Sequence, residues 1–182
     1  MPSVAVRFAE AADMAAVCEI INHYIAATTF NFRTSPQTPD EWIADWTQYD
    51  TRYPWLVATR DERVVGIAYA TPWKARAAYD WCAEVTVYVA HDCARQGVGR
   101  LLYERLFPLL DQQGYHTQVA AIALPNDPSV GVHEAFGFRH VGTLREVGYK
   151  QGGWRDVGFW QRRTGSSTQP AAAILPVPQL GA

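Results

Sequence analysis

At 182 residues, 48% hydrophobic and 19% charged, the chain suits one domain around one core, and no apolar run approaches the roughly 20 residues of a membrane span. A formal net charge of -2 offers no electrostatic footprint for nucleic acid, and the first residues lack the basic-then-apolar layout of a signal peptide, so a cytoplasmic protein is expected. Cys18, Cys82 and Cys93 are odd in number and lack C-x-x-C spacing, which argues against a disulfide frame or a metal site.

Taken in order, Val4 to Phe8 alternates as a short strand, and from Asp13 the residues Met14, Val17, Ile20, Ile21, Tyr24 and Ile25 recur at helical spacing. Thr28 to Pro36 has no helical period. Thr38-Pro39-Asp40-Glu41 is a capping box with proline at the first helical position, opening a second helix to about Gln48. Tyr53 to Ala58 and Val64 to Ala70 read as two strands joined at the polar tip Arg60 to Arg63, followed by the loop Pro72 to Arg76. Trp81 to Val89 is a strand, His91 to Gln96 a loop, and Gly97 to Gln113 a helix with Gly114 as its stop. Pro108 inside that helix predicts a kink or a broken last turn. His116 to Ala123 is another strand, and Asp127 is expected to cap a short helix through His133 to Phe136, with Pro128 at its first position. Phe138 to Val147 and Arg155 to Gln161 close the pattern around the turn Gln151-Gly152-Gly153. Residues 1–163 form the domain, and the Pro, Ala and Ser-rich stretch 164–182 is expected to be a disordered tail. Strands interleaved with helices in this order predict an α/β (α+β) layout, a mixed sheet flanked by helices.

Chemistry is expected first in the unit Trp81 to Leu110. Glycines at 97 and 99 let the backbone approach a ligand, and the helix that follows starts with unpaired N–H groups and the positive end of its dipole, a cradle for a diphosphate. The spacing is neither that of a dinucleotide fold nor that of a P-loop. Glu84 is a carboxylate inside an apolar strand, sharing a face with Thr86 and Tyr88 while Val85, Val87 and Val89 point away. It reads either as a general base whose pKa is raised in a partly dry cleft or as a structural partner for an arginine.

The strand followed by a basic, polar, Gly-x-Gly loop and a helix resembles the acetyl-CoA-binding motif of the GNAT superfamily of N-acetyltransferases. Asn22-His23-Tyr24-Ile25, Asn31-Phe32-Arg33-Thr34, Arg52 to Ala58, Pro72 to Arg76, Ala78 to Trp81, Leu124 to Val130 and Asp156 to Gln161 are similar to the phosphinothricin N-acetyltransferases within it. The likeness spans about residues 5 to 162. Two departures stand out. Ala94 occupies the position three before the first glycine, where the superfamily usually has Gln or Arg, and Pro108 lies in the following helix.

The resemblance implies the GNAT fold, acetyl-CoA as co-substrate, and acetylation of the α-amino group of phosphinothricin or a similar glutamate analogue, which confers herbicide or antibiotic resistance. It favours Glu84 as the base and brings in His133 as a second catalytic candidate, which on its own reads as a packed histidine. Tyr103, one turn beyond Gly99, is placed to protonate the leaving thiolate or else to pack in the core. Arg95, Gln96, Gly97, Val98, Gly99 and Arg100 form the expected cofactor loop, with main-chain donors at Val87, Tyr88 and Val89 and a contact to the pantetheine arm at Asn126. Lys74, Arg76 and Tyr79, with Phe32 and Arg33 opposite, resemble the substrate-facing segments. A homodimer is also implied, with Trp154 to Trp160 as compatible surface. The competing readings are an acetyltransferase for methionine sulfoximine or methionine sulfone, and a non-catalytic acyl-CoA-binding module; the present Glu84 speaks against the latter.

Overall fold

One twisted sheet carries the chain. The structure, a computed structural model, describes residues 3–165 and 171–180. Seven strands lie in the order β1-β2-β3-β4-β5-β7-β6: β1 Ala5–Phe8, β2 Trp55–Arg60, β3 Arg63–Pro72, β4 Cys82–Val89, β5 Thr117–Leu124, β6 Arg139–Lys150 and β7 Gly153–Arg163. Neighbours are antiparallel except β4 and β5, which run parallel, so the expected mixed sheet is the one found. Helices α1 Met14–Ala27, α2 Pro39–Tyr49, α3 Val98–Gln113 and α4 Asp127–Ala135 cover it.

Local chemistry explains most boundaries. α1 buries Met14, Val17, Cys18, Ile20, Ile21 and Ile25, the stripe expected from its spacing. At the start of α2 the Thr38 hydroxyl accepts from the Glu41 N–H and the Glu41 carboxylate accepts from the Thr38 N–H, closing the capping box. β2 and β3 meet at Asp61 and Glu62, both with positive φ, the twist a two-residue hairpin turn needs.

Three expectations are corrected. α3 runs unbroken to Gln113 through Pro108. The proline lies on the exposed side, so the Glu104 carbonyl that loses its partner faces water, while Leu106, Phe107, Leu109 and Leu110 hold the other side in the core. α4 is capped by Asn126, not Asp127: the Asn126 side-chain oxygen accepts from the Ser129 N–H, and Pro128 moves to the second helical position. The stretch expected as a free tail returns to the domain over residues 171–180. There the Trp81 indole N–H donates to the Ala172 carbonyl, Leu175 and Val177 donate to the carbonyls of Gln113 and Thr51, and Leu180 joins the core at 6% exposure. A composition dominated by Pro and Ala hid the few apolar side chains that anchor it. Residues 166–170 and 181–182 lie outside the described residues.

The sheet has one interruption. β4 pairs with β5 only from Cys82 to Glu84, opposite Thr117 to Val119. Beyond Glu84 the two strands separate, while β4 stays paired with β3 as far as Val89. α1 and α2 pack on one face of this split and α3 on the other.

Candidate active site

The split in the sheet positions the chemistry. The Ala90 N–H bonds to the Val65 carbonyl, which sets the ladder: main-chain groups of Glu84, Thr86 and Tyr88 face β3, and those of Val85, Val87 and Val89 face the β5 side. Past Glu84 that side meets no strand, so Val87 and Val89 present main-chain polar groups along an open edge. The Val89 carbonyl accepts from the Tyr24 hydroxyl at 2.7 Å, a contact that the sequence reading did not foresee. Of the three expected main-chain donors, Tyr88 is turned to β3, and its hydroxyl receives a hydrogen bond from the Asn31 side-chain amide at 3.0 Å.

At the end of the open edge the loop expected to hold the cofactor turns into α3. Arg95 and Gly97 both have positive φ, and Gly97, at 82°, forms the helix N-cap with no side-chain cap. The first bond into the helix, from the Leu101 N–H to the Gly97 carbonyl, leaves the N–H groups of Val98, Gly99 and Arg100 without an intrahelical partner. With the dipole behind them these fit an anion such as a diphosphate. Gly99 lies against Val87 and Val89 and brings the helix close to β4. The loop side chains are partly committed elsewhere: Gln96 accepts from Arg60 at 2.8 Å and donates to the Asp92 carbonyl, and Arg100 pairs with Glu104 on the surface. Arg95 is exposed.

On the opposite face a cavity of about 390 Å³ is lined by Glu84, Thr86, Tyr69, Trp55, Trp42 and Arg33 among others. Glu84 is half-buried there. Burial pushes its carboxyl above the ordinary value, and the Lys74 ammonium draws it part of the way back. Cys82, two residues earlier, is raised to about 11 by burial and by Glu84, so its thiol stays protonated. Lys74 itself is exposed and lies 4.6 Å above the Trp73 ring. Arg76 and Tyr79 are exposed on the same loop and do not line the cavity. Phe32 turns from the cavity wall to pack on Gly148 of β6. The cavity therefore unites Glu84 with Arg33, leaves Lys74 within electrostatic reach, and excludes Arg76, Tyr79 and Phe32.

Residues not foreseen make up most of the wall. Trp55 is directly opposite Tyr69, Tyr69 opposite Thr86, and Thr71 opposite Glu84, so a cross-strand row carries the aromatic wall up to the carboxylate. Strand register was the signal that would have found them. Asn31, Gln37 and Asp45 enter from the segment and helix beyond α1.

Tyr103 and His133 meet on the α3 side. Both are buried, and the Tyr103 oxygen is 2.8 Å from His133 Nε2. His133 Nδ1 lies 2.7 Å from the Ser129 carbonyl, which can only accept, so Nδ1 carries the proton and Nε2 accepts from the phenol. Burial lowers the His133 pKa and raises that of Tyr103 well above its ordinary value, with Tyr69 and Tyr88 adding to the latter. The site thus has a carboxylate of raised pKa on one face, a neutral phenol–imidazole pair on the other, and an open strand edge between them.

A family profile described as an acetyltransferase (GNAT) domain matches residues 6–158. The chain is 56% identical over 177 residues to a phosphinothricin N-acetyltransferase of Streptomyces viridochromogenes, covering 97% of this chain and 96% of that one. It is 40% identical over 155 residues to a protein of the same description from Streptomyces coelicolor, covering 82% and 90%. Its fold matches the crystal structure of a GNAT superfamily phosphinothricin acetyltransferase from Sinorhizobium meliloti in complex with AcCoA, with a TM-score of 0.88 at 27% identity and coverage of 94% and 95%.

Proposed function

The chain belongs to the GNAT acetyltransferases and, within them, to the phosphinothricin N-acetyltransferase family, and from that premise we propose that it acetylates the α-amino group of phosphinothricin or a close glutamate analogue, with acetyl-CoA as donor. The observation that carries this reading is the placement of Glu84, with its raised pKa, on the wall of a cavity that also holds Arg33.

An amino acid reaches the enzyme with its amine protonated, and Glu84 is placed to remove that proton, directly or through a water. A carboxyl whose pKa is drawn upward by burial is a better match for this task than an exposed one. Arg33 supplies the charge for an anionic group of the acceptor, and Lys74 at the rim adds to the same field. The unpaired N–H groups at the start of α3 and the open edge of β4 fit a diphosphate and an amide-bearing arm, so Gly97 to Arg100 with Val87 and Val89 would hold acetyl-CoA, and Asn126 stands at the start of α4 for the same arm. When bound, the donor supplies an activated acetyl thioester. The main-chain N–H groups on the open edge are placed to stabilise negative charge developing on its carbonyl oxygen. Tyr103 would return a proton to the leaving thiolate by turning its hydroxyl away from His133 Nε2, to which it donates in the free protein.

Two wider features belong to the same reading. Val141, Leu144, Val147, Tyr149 and Trp154 are each at least half exposed on β6 and β7, an apolar surface suited to a second copy of the chain in a homodimer. Among the described residues no helix is long and apolar enough to cross a membrane, and the three cysteines are free thiols, which accords with cytoplasmic detoxification and resistance.

The test is a comparison of acceptors with acetyl-CoA, following thiol release. Phosphinothricin should be turned over with the highest kcat/KM. An advantage of about tenfold or more for methionine sulfone, near 1.4 kcal/mol of transition-state binding, would overturn the herbicide reading in favour of the sulfoximine and sulfone one.

A further inference from the structure

Lys150 is one of two lysines in the chain and sits at the end of β6, far in sequence from Glu84 and Arg33. It is 7% exposed, and its ammonium donates to the carbonyls of Ile25 and Asn31, each at 2.6 Å. No carboxylate pairs with it among the described residues. A buried ammonium without a counter-ion is costly, and the carbonyls it meets must offset that cost.

One of those carbonyls belongs to the last turn of α1, a turn with no basic residue of its own. Lys150 therefore brings a cation to the negative end of the helix from about 120 residues away. Gln151 adds hydrogen bonds to the carbonyls of Ala26 and Thr28. The other carbonyl is that of Asn31, which lines the cavity. The Asn31 side chain accepts from the Arg33 N–H at 2.8 Å and donates to the Tyr88 hydroxyl on the strand that carries Glu84. Next to it, Phe32 packs on Gly148 of β6 so closely that any Cβ at position 148 would run into the ring.

The turn of the β6–β7 hairpin thus holds the segment between α1 and α2 at its start, at Asn31 and at Phe32. We propose that Lys150 is a positioning residue for acceptor binding: by clamping the Ile25 and Asn31 carbonyls it fixes where Arg33 stands relative to Glu84, and so which length of anionic amino acid the cavity accepts. This rests on the acetyltransferase reading above. Lys150 touches neither substrate in this role, so its removal should separate the two Michaelis constants.

The experiment compares the wild type with Lys150→Met and Gly148→Ala, the second displacing Phe32 while leaving the ammonium in place. Initial rates are measured with phosphinothricin and methionine sulfone varied at saturating acetyl-CoA, and then with acetyl-CoA varied. In both variants the acceptor KM should rise about tenfold or more, the equivalent of one charged hydrogen bond, with the KM for acetyl-CoA within about twofold of wild type and a changed preference between the two acceptors. Tryptic cleavage after Arg33 should be faster in Lys150→Met, a readout that needs no substrate. A folded Lys150→Met protein with unchanged acceptor KM and unchanged cleavage at Arg33 overturns the proposal, as does a parallel rise of both Michaelis constants. Should Lys150→Met fail to fold, Lys150→Gln, which keeps a shorter neutral donor, decides on the same criteria, and Gly148→Ala tests the Phe32 contact alone. If the wild type acetylates none of these amines, the acceptor assignment fails by itself, and cleavage at Arg33 still decides the role of Lys150.

Discussion

The phenol of Tyr103 and the imidazole of His133 face each other at 2.8 Å on the α3 side of the sheet, opposite the face on which the Glu84 carboxyl lines the cavity. Under the roles proposed for Glu84 and Tyr103, the sheet separates proton removal from proton return. It does so because successive β4 side chains alternate between faces, Glu84 toward α1 and α2, Val85 and Val87 toward α3.

Replacing Tyr103 by Phe strands His133 Nε2 in an apolar setting made of Phe107, Phe136 and Phe138. The expected cost is about 1–3 kcal/mol, read as a lowered Tm, together with a fall in kcat. The pair also makes stability pH-dependent. The folded pKa of His133 is depressed below 6.5, so below that value the unfolded chain binds more protons, and stability is full above it and declines as pH falls. Thermal melts from about pH 7.5 down to about pH 5 should show this decline, and His133→Gln should flatten it. An unchanged slope in that variant would place the pH dependence elsewhere.

Glu84→Gln should lower kcat/KM by about a hundredfold or more while leaving the Kd for acetyl-CoA unchanged by calorimetry. Lys74→Met tests the electrostatics without touching the base. The Lys74 ammonium favours the ionised form of Glu84, so its loss should raise the Glu84 pKa further and carry the acid limb of the kcat/KM profile to higher pH. A limb that stays in place, or moves to lower pH, would remove Lys74 from the field of the base.

Much of this architecture was legible in the sequence because it rests on local chemistry. The capping box of α2, the glycine stop of α3 and the alternation around Glu84 each follow from residues a few positions apart. The cavity wall was not legible in the same way. Trp55, Tyr69 and Thr86 become neighbours only through strand register, and Lys150 reaches Asn31 only through the tertiary fold. Pro108 misled because a proline rule that ignores which side faces water cannot say whether a lost hydrogen bond is replaced by solvent. The resemblance to the family placed Lys74, Arg76 and Tyr79 together, whereas the geometry brings only Lys74 within reach of Glu84.

Gly97→Val separates the cofactor loop from the acceptor cavity. A β-branched residue at a φ of 82° is strained by about 1–2 kcal/mol or more and should tilt the free N–H groups at the start of α3. The KM for acetyl-CoA should rise severalfold while that for the acceptor is unchanged. Equal effects on both constants would mean that the loop supports the site as a whole instead of holding one substrate.

Truncation after Gly165, which keeps the Thr164 hydrogen bonds to Tyr115 and His116, tests whether the returning segment 171–180 matters to the domain it packs on. It removes the Leu180 side chain from the core and the hydrogen bonds that tie Leu175 to Gln113, Val177 to Thr51 and Ala172 to the Trp81 indole. Burial of one leucine alone is worth about 1.5–3 kcal/mol, and at about 2–4 °C per kcal/mol for a chain of this size the Tm should fall by about 5–10 °C once the hydrogen bonds are included. Gln113 gives an internal check. Its side-chain amide donates to the carbonyls of both Arg52 and Leu175, so Gln113→Ala should destabilise the full chain more than the truncated one. Because the contacts lie at the α2–β2 junction, the end of α3 and the start of β4, away from the open edge and the cavity, both Michaelis constants should be retained below the new Tm. Truncation that left the Tm unchanged would show that the segment's contacts contribute nothing to the stability of the fold.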